Sequence, residues 1–206
     1  MVKTKDSTTE NVILEAARKV FTQKGYSASR MDDIAAEAGL NRALLHYYFR
    51  NKDRMFEMIF EQRIREFFSG LITILTSDVS LNDKIKAIIE HDISMLNKHP
   101  DLPLFVLQEI NQNPNRLKEF INKIGVAPKS LFEAFNVQVR KEVKKGSIRN
   151  IEGFQLLINI MSLCIYPFIA RPMIQLLNQL SDVEFDKMMD KRKVEIEQFV
   201  LMGLKP

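Results

Sequence analysis

A single cysteine, Cys164, in 206 residues excludes an internal disulfide framework and a multi-cysteine metal site, and it fits a reducing cytoplasm. Long apolar runs are missing too. The longest stretch, Phe154 to Ala170, is interrupted by Gln155, Asn159, Ser162 and Pro167, and is too short and too polar for a membrane span. It reads as a buried helix, so no membrane partner is expected. The first residues, MVKTKDSTTENVILEAA, lack the apolar core and cleavage site of a signal peptide, and a cytoplasmic protein is expected. No G-x-G-x-x-G, G-x-x-x-x-G-K-[ST] or H-E-x-x-H occurs, which removes the commonest phosphate-loop and metalloenzyme signals. His91 and His99, close to Asp92 and Asp101, would reach a metal only with ligands from another helix, and they read as polar groups at a pocket or surface. No metal, no cofactor and no catalytic residue is expected. Cys164 itself, in an apolar helix, reads as a small buried hydrophobe.

Sustained two-residue alternation is absent, whereas three-to-four spacing of apolar residues is everywhere, so the fold class is all-α. A first helix runs from about Ser7 to Lys24, with Ile13, Ala16, Ala17, Val20 and Phe21 on one face and Gly25 as its C-terminal cap. Ser29 to Asp32 has the form of a capping box, the Ser29 hydroxyl serving the Asp32 amide, before Ile34, Ala35 and Ala38. Gly39 breaks that helix, and a third, about Asn41 to Tyr48, follows at once. A long fourth begins near Asn51, with Phe56, Phe60, Ile64, Phe67, Leu71 and Leu75 in register. Pro and Gly divide the remainder into helices at about Ser80–Lys98, Leu102–Asn111, Pro114–Lys145 with a bend near Gly125, Ile151–Leu177 and Asp182–Met202, about nine in all. The expected domain boundary is near Asn51: residues 1–51 form a small domain of short helices with a basic surface, residues 52–206 a larger one of long helices with apolar faces.

The net charge of +4 is mild, but four cations fall between Arg42 and Arg54 against Asp53 alone. Two short helices around Ala38-Gly39-Leu40 make a helix-turn-helix, whose second helix would lead into the DNA major groove with its N-terminal residues. On that helix Leu45, Tyr48 and Phe49 share a packing face, while Asn41, Arg42, Ala43, His46 and Tyr47 point away. Ala43 permits close approach, Arg42 offers a fork for guanine or phosphate, and Asn41, His46 and Tyr47 can hydrogen-bond base edges or phosphates. Lys52 and the first amides of the fourth helix would hold a phosphate.

The stretch ILEAARKVFTQKGYSASRMDDIAAEAGLNRALLHYYFRNKDRMF, Ile13 to Phe56, resembles the DNA-binding domain of the TetR family of bacterial regulators in its AA..VF..KGY, DDIA..AG and YYF.NKD.MF elements. For the rest of the chain the resemblance implies a helical regulatory domain, a ligand cavity among the middle helices, and a homodimer through the two C-terminal helices. It also implies DNA-facing roles for Arg30, Met31, Asn41, Arg42, Ala43, His46, Tyr47, Tyr48 and Lys52. Three positions depart from the family pattern: Arg30-Met31 replaces a hydroxyl residue, His46 a tyrosine, and Leu44 a threonine. The expected function is therefore a dimeric regulator, a repressor on a palindromic double-stranded operator, released by a small apolar or amphipathic effector. The alternatives are a helical enzyme or lipid carrier with a basic surface, and a DNA binder without sequence preference. Phe68, His91, Met95, Phe105, Phe135, Asn159 and Met161 are the expected effector-pocket residues, since methionines and rings adapt to apolar guests and a few polar groups orient them. Phe185, Met189, Arg192, Ile196, Phe199 and Gly203 line one face of the last helix; with the polar stripe Gln155, Asn159 and Ser162, that face is either core within the chain or, as the resemblance implies, a four-helix seam between copies.

Overall fold

The computed structural model describes residues 3–112, 115, 118–119 and 128–206. Among them are ten α-helices and no strand: α1 (Lys3–Ala28), α2 (Met31–Ala38), α3 (Arg42–Tyr48), α4 (Lys52–Thr76), α5 (Leu81–Lys98), α6 (Leu102–Gln112), α7 (Pro128–Lys144), α8 (Gly153–Ile169), α9 (Arg171–Asn178) and α10 (Asp182–Gly203). The all-α expectation holds. The expected helix start at Pro114 and the break at Gly125 fall outside the described residues.

Contacts group the chain into two compact units, Met1–Arg65 with Leu104–Leu117, and Glu66–Pro103 with Lys118–Pro206. In the first unit Ile13, Ala17, Phe21, Ile34, Leu45, Phe56, Phe60 and Phe105 are buried. Its centre is aromatic: Phe56 meets Phe21 and Phe105 at centroid distances of 5.2 Å each, and stacks on Phe60 at 5.9 Å. Edge and offset contacts of this kind add about 0.5–1.5 kcal/mol per pair to the burial itself. Phe105 was expected in an effector pocket, and its ring belongs to this stack.

In the second unit α5 packs on α8 and α10. Its buried stripe of Ile85, Ile88, Ile89, Ile93 and Leu96 meets Leu156, Leu157, Ile160 and Cys164 of α8, and Phe185, Met189 and Ile196 of α10 supply the rest of the core. Each such side chain contributes about 1.5–3 kcal/mol on burial. Ser80 caps α5, its Oγ accepting from the Asp83 amide, and Ser181 with Glu184 forms a reciprocal capping box at α10.

Four local readings change. The first helix continues to Ala28 but bends at Gly25, whose φ of 74° and ψ of 162° are open to glycine and not to residues with a Cβ. Ser29 does not cap α2: it is buried and its hydroxyl donates back to the Gly25 carbonyl at 2.6 Å, while Asp33 accepts from the Arg30 amide. The expected helix Ile151–Leu177 is two helices. Pro167 and Pro172 remove amide donors on either side of Ala170, where ψ moves to 9°, and α9 restarts with proline in its first turn. Finally, Phe185, Met189 and Ile196 of the expected dimer seam are buried within the chain, whereas Phe199 on the same helix is 69% exposed.

No single helix among the described residues is long and apolar enough to cross a membrane.

Candidate nucleic-acid interface

The turn between α2 and α3 is set by Gly39, in the left-handed region at φ 65° and ψ 28°, with its amide on the Ala36 carbonyl and the Leu40 amide on the Ala35 carbonyl. A left-handed residue closing a helix is the usual glycine C-terminal cap. Asn41 then caps α3, its Oδ1 accepting from the Leu44 amide at 2.8 Å. Asn41 was expected to face DNA, and its carbonyl oxygen is used in this cap. Leu45 and Phe49 are buried and fix the helix on the unit; Asn41, Arg42, Ala43, His46 and Tyr47 are exposed, Tyr47 by 80%. Tyr48 is half-buried and meets the Tyr47 ring edge-on at 5.3 Å. Arg30 is exposed and Met31 half-buried at the start of α2.

Arg42 is held by two neighbours. Its Nη1 lies 3.2 Å from Asp32 Oδ2 on α2, and its Nε donates to His46 Nε2 at 3.3 Å; His46 Nδ1 lies 3.2 Å from the Arg50 carbonyl oxygen.

Lys52 has a different environment from the one its sequence position suggests. Its ammonium donates to the carbonyls of Tyr26, Ser27 and Ser29 at 2.9, 3.4 and 3.0 Å, and lies 4.4 Å from the Tyr26 ring centroid. An ammonium has three donors, so a phosphate must displace one of these bonds. Tyr26 in turn donates its hydroxyl to Asp53. Lys24 pairs with Asp33 at 2.8 Å, and that bond, with the Arg30 amide, holds the Asp33 carboxyl below its usual range.

The expected effector residues other than Phe105 lie in the second unit. Phe68 is half-buried and edge-on to Phe67; Met95 and Met161 are half-buried, Phe135 is buried and Asn159 is exposed. His91 Nε2 donates to the Phe67 carbonyl at 3.1 Å. Asn159 lines an open cleft of about 350 Å³ with Leu156, Ser162, Phe199 and Leu204.

The sequence reading weighed Asp92 only as a neighbour of His91 and His99, not as a buried acid. It is completely buried on α5, neither carboxyl oxygen has a hydrogen-bond partner among the described residues, and burial raises its pKa to about 7. Its charge, after burial, is the second influence pushing the Cys164 thiol up. The signal was available in the pattern: an acid stands in the apolar stripe between Ile88 and Leu96. Among the described residues no group of three His, Cys, Asp or Glu is placed to hold a metal ion.

Residues 13–59 match the family described as bacterial regulatory proteins, tetR family. A fatty acid metabolism regulator protein of Bacillus subtilis (strain 168) is 25% identical over 150 residues, covering 66% of this chain and 77% of its own. Among solved structures, the ketosteroid transcriptional regulator KstR2 of Mycobacterium tuberculosis aligns with a TM-score of 0.70 at 14% identity, over 100% of this chain and 97% of its own. The TetR family transcriptional regulator PfmR of Thermus thermophilus aligns with a TM-score of 0.66 at 18% identity, over 95% and 96%.

Proposed function

We propose that the chain is a TetR-family transcriptional regulator and acts as a homodimeric repressor that leaves a palindromic operator when a small apolar or amphipathic molecule binds. It is a DNA-binding regulator from a family that is not enzymatic. Regulators of this family bind operators and small molecules as dimers. The observation that carries the reading is the exposed face of α3, where Arg42 and its neighbours stand clear of a helix anchored by Leu45 and Phe49. In this reading residues 1–51 form the DNA-reading domain. Arg42 reads a base edge, Arg30, Tyr47 and Tyr48 touch bases or phosphates, and Met31, Asn41 and Ala43 shape the approach.

Dimerisation is assigned to the apolar surface left on the C-terminal helices, where Leu176, Leu177, Phe199 and Met202 are each well over half exposed. Linking two reading heads makes the second half-site contact intramolecular, which raises affinity about 10²–10⁴-fold without new contacts. The effector is assigned to the second unit, beside Phe68, His91, Met95, Phe135, Asn159 and Met161. It acts only by binding better to a state whose heads are badly spaced for DNA. The Bacillus subtilis relative, a regulator of fatty acid metabolism, favours a fatty-acyl effector over other amphiphiles. Selection of bound sequences from random duplex DNA tests the reading. A palindrome is expected, and Arg42→Ala should lose discrimination worth about 1–3 kcal/mol at one position of each half-site. Binding without sequence enrichment would remove the operator from the account.

A further inference from the structure

We propose that Asp32 and neutral His46 are positioning residues that brace Arg42 from two sides and thereby set base discrimination at the position Arg42 reads. This rests on the assignment of Arg42 to DNA. The geometry fixes the hydrogen positions. Arginine nitrogens only donate, so with Arg42 Nε directed at His46 Nε2, that ring nitrogen must accept. The ring proton is then on Nδ1, where the Arg50 carbonyl receives it at 3.2 Å. On the other side Asp32 Oδ2 takes an N–H from Nη1. Of the five guanidinium N–H groups two are thus engaged, leaving three for a base edge or phosphate.

Magnitude argues against a role in stability. Both members of the Arg42–Asp32 pair are more than 60% exposed, and such surface pairs contribute about 0–1 kcal/mol. An acidic side chain beside a DNA-reading arginine also repels phosphates, so Asp32 lowers affinity for every sequence alike. What it supplies is direction: a long, rotamer-rich side chain arrives at the groove already oriented, and less ordering is left to the moment of binding.

The brace needs an accepting nitrogen on His46, which an imidazolium, with a hydrogen on both nitrogens, does not offer. The other charged groups around the pair have partners or positions of their own. Asp32 faces Arg42 from α2, Lys24 and Lys19 of α1 pair with Asp33 and Glu37 of α2, and Arg50 and Arg54 flank the turn into α4. Lys52 of α4 is engaged with carbonyls, and Asp53 accepts from Tyr26.

The test is sequence selection from random duplex DNA by the full-length chain. Asp32→Asn should lose about tenfold preference at one position of each half-site, keep its other preferences, and bind unrelated duplex more tightly. His46→Leu, which cannot accept the Arg42 Nε–H, should lose that same preference, and His46→Gln, whose amide oxygen accepts, should restore part of it. Preferences of Asp32→Asn or His46→Leu identical to wild type, or equal losses in His46→Leu and His46→Gln, would overturn the brace. A wild type that enriches no sequence would overturn both the brace and the DNA reading on which it rests.

Discussion

The imidazole of His91 occupies the space above Gly70 where a Cβ would stand, and its Nε2 donates to the Phe67 carbonyl one turn back on α4. Two helices approach closely because one has no side chain at that point. Alanine in a helix interior is better than glycine by about 1 kcal/mol, but here its methyl falls within the ring. Moving the ring and breaking its bond should cost more, so Gly70→Ala is expected to lower stability by about 1–2 kcal/mol. In a His91→Ala background the same replacement should stabilise, by about 1 kcal/mol. Urea unfolding of the four proteins reads this cycle; a single Gly70→Ala chain more stable than wild type contradicts it.

Asp92 makes stability depend on pH. Its folded pKa of about 7 lies above the ordinary 3.8, so between those values the folded chain keeps a proton that the unfolded chain has released. Stability is greatest below pH 4 on this account, declines by up to about 1.4 kcal/mol per unit as pH rises toward 7, and is level above. Asp92→Asn should remove that decline and be the more stable protein at pH 8. Parallel unfolding curves at pH 5 and pH 8 for the two chains would show that Asp92 does not titrate in this range.

Lys52 ties the start of α4 to the end of α1 through three carbonyls. Lys52→Met leaves them without that donor, and a stability loss of about 1–3 kcal/mol is expected. The salt dependence of DNA binding should hardly change. A salt slope smaller by about one, with the melting temperature intact, would return Lys52 to the phosphate contact expected from its sequence position.

Phe199 is exposed on a helix whose neighbours are buried in the chain's own core, so Phe199→Glu should leave the monomer folded. Light scattering should find monomers, and operator affinity should fall by about a hundredfold or more as the two half-site contacts become independent. A stable dimer of the variant would move the interface elsewhere.

Apolar spacing made the helices legible, because burial of one face follows period 3.6 wherever a helix must pack. It also separated Leu45 and Phe49, which are buried, from the exposed Arg42, His46 and Tyr47, since seven consecutive residues suffice to define both faces of α3. Resemblance supplied the family from Ile13 to Phe56. Less visible were features that depend on partners distant in sequence. Ser29 looks like a cap, yet the bend at Gly25 brings a carbonyl within its reach. Phe185, Met189, Ile196 and Phe199 look alike along α10, but α5 and α8 cover only part of that helix.

The sequence by itself determined the helical class, the turn at Gly39 and the side of α3 that is free, all local consequences of backbone freedom and side-chain period. Tertiary structure alone decided that Lys52 answers the end of α1, that Asp32 and His46 hold Arg42, and that Asp92 is buried with no partner among the described residues. Hydrogen bonds and desolvation depend on which groups come within a few ångströms, and for residues on different helices the packing determines that distance.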